Sequence, residues 1–280
     1  MATSKNSRAA EEARARAAQL QARERRAQQR NIIIAVVGIL AVAAVLVFVV
    51  KSIVGAGSAE LYDSGELTQL SVADSSGGIL INQDGTLGGT PPADAVRVDV
   101  YLDLMCPICH EFEKINGADL STLRENGTIA VYYHPVAILN RYSQGTMYST
   151  RAAAALATVA EYDPSHFHDF LMALFENQPA ENSRGLTNLQ IEDIARGAGV
   201  PDDVVARISD GEFTRWVTAA TDQSSVDGLQ GTPWIRAAQK ADINSGIWAQ
   251  PGNLAATLAY IHDNGVQAYL DAVAAATASQ

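Results

Sequence analysis

Cysteine is scarce in this sequence. Of its 280 residues only Cys106 and Cys109 are cysteines, three positions apart. With both thiols inside one short segment, none remains to cross-link distant parts of the chain, so the fold must rest on packing alone. A zinc site built on Cys106, Cys109 and His110 would need further ligands, since a two-residue cysteine spacing calls for a second ligand pair, and no such pair is evident.

Positive charge is scarce after residue 30. The net charge is −11, yet the first 30 residues hold eight of the 20 Lys and Arg residues and three of the 31 Asp and Glu residues. The remainder is therefore strongly acidic. Because binding to phosphate groups needs a basic face, this acidic body argues against nucleic acid as a partner.

One long apolar run stands apart from the rest. Residues Ile32–Val50 are uncharged and approach the ~20 residues that a helix needs to cross a bilayer. The excess of arginine before the run predicts a basic cytoplasmic tail over 1–31, a transmembrane helix over 32–50 and everything after Lys51 outside the cytoplasm. A cleaved signal peptide with a small-residue site at 56–58 is the alternative, but the run exceeds the roughly 7 to 15 residues of such a peptide.

Beyond the apolar run, the sequence predicts a tether followed by strands and helices. A segment rich in Gly, Ser, Ala and Asp over 51–77 predicts a flexible tether. Period-two alternation and turn signals then predict strands over 79–82, 96–102, 128–134, 234–236 and 243–245. Helical patterns cover 107–116, 143–160, 166–177, 189–198, 202–208, 213–221, 254–262 and 266–275. This order predicts an α/β sheet interrupted by a helical insertion.

The two cysteines directly follow the strand-like run that ends at Leu104, in the pentad Cys106-Pro107-Ile108-Cys109-His110. Two thiols at this spacing can close a small disulfide ring within one helical turn, and a proline after the first suits the start of a helix. Amides at a helix start stabilise a thiolate and lower a cysteine pKa from about 8.5 to roughly 3.5–7.5. The pattern therefore indicates a dithiol redox protein with Cys106 as the exposed nucleophile and Cys109 as the resolving thiol.

The same pentad permits other interpretations. Cys-x-x-Cys-His is also the pattern that attaches c-type haem, with His110 as one axial ligand and Met147 or another residue as the second. The proline after Cys106, the preceding strand and the Gly231-Thr232-Pro233 segment favour the redox dithiol. A tethered binding domain with an inert disulfide is a further, non-enzymatic alternative.

Several segments in order resemble membrane-anchored bacterial DsbA-like thiol-disulfide oxidoreductases. They are the strand with its CxxC, Tyr132–Pro135, Tyr148–Arg151 and Gly231–Pro233, and the resemblance covers roughly 78–280. It implies an α/β thioredoxin-like fold with a helical domain inserted at about 143–225. It also implies a cis proline at Pro233 facing the CxxC, with Thr232 and Pro233 binding an extended substrate segment through the backbone.

The resemblance further implies a function and its partners. Cysteine-containing exported proteins would be the substrates, no cofactor is needed, and a quinone-linked membrane protein of the DsbB or VKOR type would re-oxidise the dithiol. Oxidation is the direction that the exported compartment favours, while reductase and isomerase share the scaffold and stay open. One departure concerns the buried carboxylate that related enzymes often carry six residues before the first cysteine. Here that position is Val100, and Asp99 and Asp103 fall on the opposite strand face.

Overall fold

A mixed sheet lies at the centre of the computed structural model, which describes residues 67–278. Its strands are β1 (Ile79–Ile81), β2 (Val96–Leu102), β3 (Ile129–Pro135), β4 (Trp234–Ala237) and β5 (Ala241–Ile243). They are arranged in the order β1-β3-β2-β4-β5. β2 and β3 are parallel, and the other neighbouring pairs are antiparallel.

The helices fall into three groups along the chain. α1 (Pro107–Glu125) connects the two parallel strands. Between β3 and β4 lies a helical block of α2 (Tyr148–Tyr162), α3 (Phe167–Glu176), α4 (Asn188–Gly197), α5 (Asp202–Ile208) and α6 (Thr214–Val226). α7 (Ser245–Trp248), α8 (Asn253–Asn264) and α9 (Val266–Ala278) follow β5. The α/β architecture predicted from the sequence is confirmed.

Alternation along β2 explains where the main core forms. Val98, Val100 and Leu102 are fully buried on one face of the sheet, in one cluster with Phe112 of α1 and Leu258 of α8. Side chains two apart on a strand share a face, so a period-two apolar pattern gives the sheet a face that these helices cover. Burying each such side chain stabilises the folded state by roughly 1.5–3 kcal/mol.

The helical block forms around α2. This helix is rich in alanine, and its residues from Ala152 to Ala160 are buried on all sides. Small side chains let α3, α5 and α6 pack closely against it. α3 contributes an apolar stripe at helical spacing: Phe167, Phe170, Leu171, Leu174 and Phe175.

An ionic network occupies the opposite face of the sheet. Arg97 donates to Asp74 and to Asp99, both at 2.6 Å, and His134 Nε2 lies 2.9 Å from the same Asp99 oxygen. Burial by itself raises the pKa of Asp99, but the hydrogen bonds from His134 and Arg97 outweigh it and the pKa is lowered. The network joins the segment before β1 to the two central strands.

Several predicted boundaries are wrong. α1 continues to Glu125 rather than ending at Asn116, because Leu120 extends its apolar stripe past Gly117. α2 begins at Tyr148 rather than at Ser143, since a short 3-10 turn precedes it and Met147 adopts φ 55°. The strand predicted over 243–245 ends at Ile243, and Ser245 begins α7.

The structure describes part of the predicted tether (51–77) but not the predicted membrane anchor. Leu67 and Leu70, inside the predicted tether, are buried in the core, and Ala73 forms a bridge with Ile79. The part of the tether from residue 67 onward therefore packs against the domain. The predicted basic tail (1–31) and transmembrane helix (32–50) lie outside the described residues. Within 67–278, no helix has the length and apolarity to cross a membrane.

Candidate functional site

The turn between β2 and α1 carries the two cysteines. Cys106 is the N-cap of α1 and Pro107 its first residue, as the sequence predicts. The Cys106 amide donates to the Asp103 carbonyl at 2.9 Å, and its carbonyl accepts from the Cys109 amide at 3.0 Å. Both cysteines are free thiols in this structure. The first sulfur therefore sits at the positive end of the helix dipole.

The loop containing Thr232 and Pro233 faces these thiols. The Cys106 thiol donates to the Thr232 carbonyl oxygen at 3.3 Å. The peptide bond between Thr232 and Pro233 is cis, which confirms the isomer expected from the resemblance. The expectation of an exposed nucleophile is wrong, because this loop packs over Cys106 and leaves it only 5% exposed.

The two thiols differ in acidity. Hydrogen bonding from the Cys109 thiol is the largest effect on Cys106, and with the amides of Cys109 and Ile108 it lowers the pKa of Cys106 to about 7 from 9.0. Burial, which opposes this at Cys106, dominates at Cys109 and raises the pKa of that thiol well above 9.0. At neutral pH the first sulfur is thus partly thiolate while the second holds its proton.

A groove of about 570 Å³ lies beside the Thr232–Pro233 loop. Ile108 between the cysteines, Trp234 after the proline and Trp248 of α7 line it, together with Asn244 and Ser245. Ile108 is 52% exposed. An exposed apolar side chain next to two tryptophans makes this groove suited to an extended polypeptide.

Two buried carboxyl groups flank the dithiol. Asp103, which alternation placed on the opposite face, is fully buried, and its oxygens accept from the amides of Met105 at 2.8 Å and Leu139 at 2.9 Å. Burial raises the pKa of Asp103 to about 6 against these amide hydrogen bonds. Asp103 thus ties the cysteine turn to the connection that leads into the helical block.

Glu113 was missed by the sequence analysis. It follows Cys109 by four positions, which places both on the same side of α1. Its side chain is buried, accepts a hydrogen bond from the Tyr133 hydroxyl at 3.2 Å, and has its pKa raised to about 7 by burial. The four-residue spacing was the available signal, since it assigns this acid to the buried face.

His110, the candidate metal or haem ligand of the pentad, packs against an aromatic ring. The His110 ring stacks on Phe175 of α3, with ring centroids 5.7 Å apart. Within residues 67–278, no group of three or more His, Cys, Asp or Glu side chains is arranged to hold a metal ion.

Comparisons with known proteins agree with this geometry. A family model described as thioredoxin matches residues 82–245. The reduced form of DsbG from Mycobacterium tuberculosis, a disulfide bond oxidoreductase, is 30% identical with a TM-score of 0.55, covering 67% of this chain and 88% of that one. Reduced DsbA from the same organism is 27% identical with a TM-score of 0.51, covering 66% and 99%.

A curated relative matches a smaller share. The serine/threonine-protein kinase PknE of Mycobacterium tuberculosis is 30% identical over 160 residues, which cover 54% of this chain and 28% of the kinase. The match therefore spans well under half of that relative's length.

We predict that Glu113→Gln changes the pH dependence of stability. A carboxyl whose folded-state pKa is about 7 instead of 4.5 favours folding below pH 4.5, and this contribution is lost as the pH rises through 7. Urea unfolding should therefore show that the free energy of unfolding of wild type falls by on the order of 3 kcal/mol relative to that of the variant between pH 4 and 8. The exposed Glu111→Gln provides the control, and parallel pH curves for wild type and Glu113→Gln would contradict the assignment.

Proposed function

This chain belongs to the thioredoxin family and is a DsbA-like protein thiol-disulfide oxidoreductase, and we propose that it oxidises cysteine pairs in exported proteins. The observation that carries the proposal is the unequal pair of thiols at the start of α1. Cys106 has its pKa lowered to about 7, whereas the pKa of Cys109 is raised.

The proposed reaction starts from the Cys106–Cys109 disulfide. A substrate thiolate attacks the Cys106 sulfur, the disulfide bond breaks, and Cys109 leaves and takes up a proton. A second substrate thiolate then attacks the substrate sulfur of the mixed disulfide, and Cys106 leaves as a thiolate. The substrate loses two electrons and gains a disulfide, and the enzyme is reduced to its dithiol. Low acidity at Cys109 and high acidity at Cys106 suit these two roles.

Substrate binding is assigned to the groove beside the cis proline. An extended segment pairing with the backbone at Thr232 would present its cysteine to Cys106, whose sulfur already contacts the Thr232 carbonyl. Ile108, Trp234 and Trp248 would accept apolar side chains of that segment. Bound substrate has to take the place of the Cys106–Thr232 contact, which accounts for a nucleophile that is covered in the free protein.

Thiol acidity also supports oxidation as the net direction. Stabilising the Cys106 thiolate stabilises the reduced enzyme, and this makes the disulfide form a stronger oxidant. Reductase and isomerase remain the alternatives on the same scaffold. The reduction potential of the Cys106–Cys109 couple distinguishes an oxidant from these two alternatives.

In this proposal the place of action follows from the charge pattern, and the partners follow from the resemblance to DsbA-like proteins. Residues 32–50 form a single membrane-spanning helix in this proposal, with the basic residues 1–31 in the cytoplasm and the catalytic domain outside it. There the substrates are cysteine-containing exported proteins. A quinone-linked membrane protein of the DsbB or VKOR type accepts the electrons and restores the Cys106–Cys109 disulfide.

Substituting each cysteine should separate the two roles. Cys106→Ser removes the attacked sulfur, so oxidative refolding of a reduced ribonuclease should fall to the uncatalysed rate. Cys109→Ala keeps Cys106 but cannot form the Cys106–Cys109 disulfide, so it too should not oxidise reduced ribonuclease. With a disulfide-scrambled ribonuclease, its Cys106 thiolate attacks a substrate disulfide and releases one substrate thiolate, and the mixed disulfide, which lacks Cys109 to resolve it, should accumulate and be visible by mass spectrometry of the alkylated protein. Full catalysis by Cys106→Ser would contradict the assignment of the nucleophile.

Equilibration with glutathione should reveal an oxidising couple. We expect the potential of the Cys106–Cys109 pair to lie closer to about −120 mV, the DsbA value, than to about −270 mV, the thioredoxin value. The fraction oxidised is measured by alkylation and mass shift across a series of glutathione ratios. A result near the thioredoxin value would favour a reductase and refute the oxidant.

Membrane fractionation tests the predicted location. The full chain should stay in membranes after alkaline carbonate extraction, and its domain should be digested by protease added outside intact spheroplasts. A variant lacking residues 32–50 should be soluble and, being retained in the cytoplasm, protease-protected. Protection of the full-length domain in intact spheroplasts would place it on the cytoplasmic side and reject the proposal.

A further inference from the structure

The C-terminal end of α3 contacts the cysteine turn through two residues. Gln178, two positions beyond the end of α3, donates from its side-chain nitrogen to the carbonyl oxygens of Leu104 and Cys106, each at 3.0 Å. Phe175, in the last turn of α3, stacks on His110 with the ring planes inclined by 7°. The backbone N–H of Gln178 donates to the Phe175 carbonyl at 3.1 Å, so the two contacts come from one hydrogen-bonded turn.

We propose that Gln178 is a positioning residue for the nucleophile: it holds the backbone on both sides of Cys106 and thereby keeps that sulfur directed at the amides of α1. This inference rests on the proposed function, since it assigns a role in the same thiol chemistry. Gln178 comes from the helical block, whereas the turn that it holds comes from the sheet and α1.

The hydrogen bonds of the turn explain why one amide can have this effect. The Met105 amide is bonded to the Asp103 carboxyl at 2.8 Å and the Cys106 amide to the Asp103 carbonyl at 2.9 Å. These bonds hold the donors of the turn from the β2 side. Gln178, from the helical block, donates to the acceptors at Leu104 and Cys106. Removing it takes this donor from the Leu104 carbonyl and leaves the Cys106 carbonyl with the helix amides of Cys109 and His110 alone.

Two consequences for the thiol follow from this arrangement. A loosened turn weakens the approach of the Ile108 and Cys109 amides to the Cys106 sulfur, and these amides help to lower its pKa. Loss of the side-chain NH₂ group also removes the positive end of a dipole beside the turn. Both effects disfavour the thiolate, so they act in the same direction.

The test compares Gln178→Met with Asn177→Ala in the full chain. Methionine keeps the length of the Gln178 side chain but donates no hydrogen bond. Asn177 is the control because it is the neighbouring residue and its side-chain amide donates only within its own helix, to the Ala173 carbonyl at 2.9 Å. The pH dependence of Cys106 alkylation by iodoacetamide and the equilibrium with glutathione are measured for each protein.

We expect Gln178→Met to move the alkylation midpoint upward by at least half a pH unit. This corresponds to an alkylation rate at pH 6 that is about threefold lower than that of wild type. The couple should become less oxidising, and Asn177→Ala should match wild type in both measurements. Gln178→Glu, which places a carboxylate against two carbonyl oxygens, should raise the midpoint further and provides the comparison should the methionine variant not fold.

Two outcomes would overturn the inference. In one, the folded variants have a lower melting temperature but an unchanged midpoint and potential, which would show that Gln178 only stabilises the fold. In the other, Asn177→Ala shifts the midpoint as much as Gln178→Met. Failure of the proposed function is distinguishable, because wild type would then not oxidise reduced substrate although the midpoint comparison would still report on Gln178.

Discussion

A single sulfur held at the first turn of a helix is the constraint on which the rest of the site depends. Cys106 caps α1 and contacts the Thr232 carbonyl at 3.3 Å, so strand β2, helix α1 and the loop before β4 must all meet at one point. The parallel pairing of β2 with β3 and the antiparallel pairing of β2 with β4 place these parts side by side. The sheet order is thus what turns a short sequence motif into a reactive centre.

Burial and hydrogen bonding oppose each other around the dithiol, and their balance sets the acidity of each group. Cys109, Glu113 and Asp103 are buried, and burial raises the pKa of each of them. Cys106 is the exception, because hydrogen bonding outweighs burial and lowers its pKa. Asp103, with a pKa of about 6, is mostly ionised at neutral pH, so the thiolate at Cys106 depends on its hydrogen bonds and not on neutral surroundings. Of the two sulfurs, the site favours negative charge at Cys106.

Local patterns predicted much of this arrangement, and the misses have physical causes. The strand leading to the cysteines, the helix start at Pro107 and the Gly231–Pro233 loop each carry a local signal, namely alternation, a proline at a helix start and a turn motif. The spacing of Glu113 from Cys109 indicates its buried face but not its contact with Tyr133, which arises from tertiary packing. Gln178 carries no local signal, because its contact with the backbone around Cys106 also arises from tertiary packing. The covered state of Cys106 is likewise a tertiary effect. Leu67 and Leu70 lie in a segment whose composition is typical of linkers, so the sequence predicted a tether there. Their burial shows that they belong to the domain.

The confinement of both cysteines to one turn has a consequence for how the protein is made. The core of residues 67–278 is assembled from alanine, valine, leucine and phenylalanine contacts, and the chain has no third cysteine with which either thiol can mispair. The reduced chain can therefore reach its native state with no disulfide formed, so its folding does not depend on the action of another thiol-disulfide oxidoreductase.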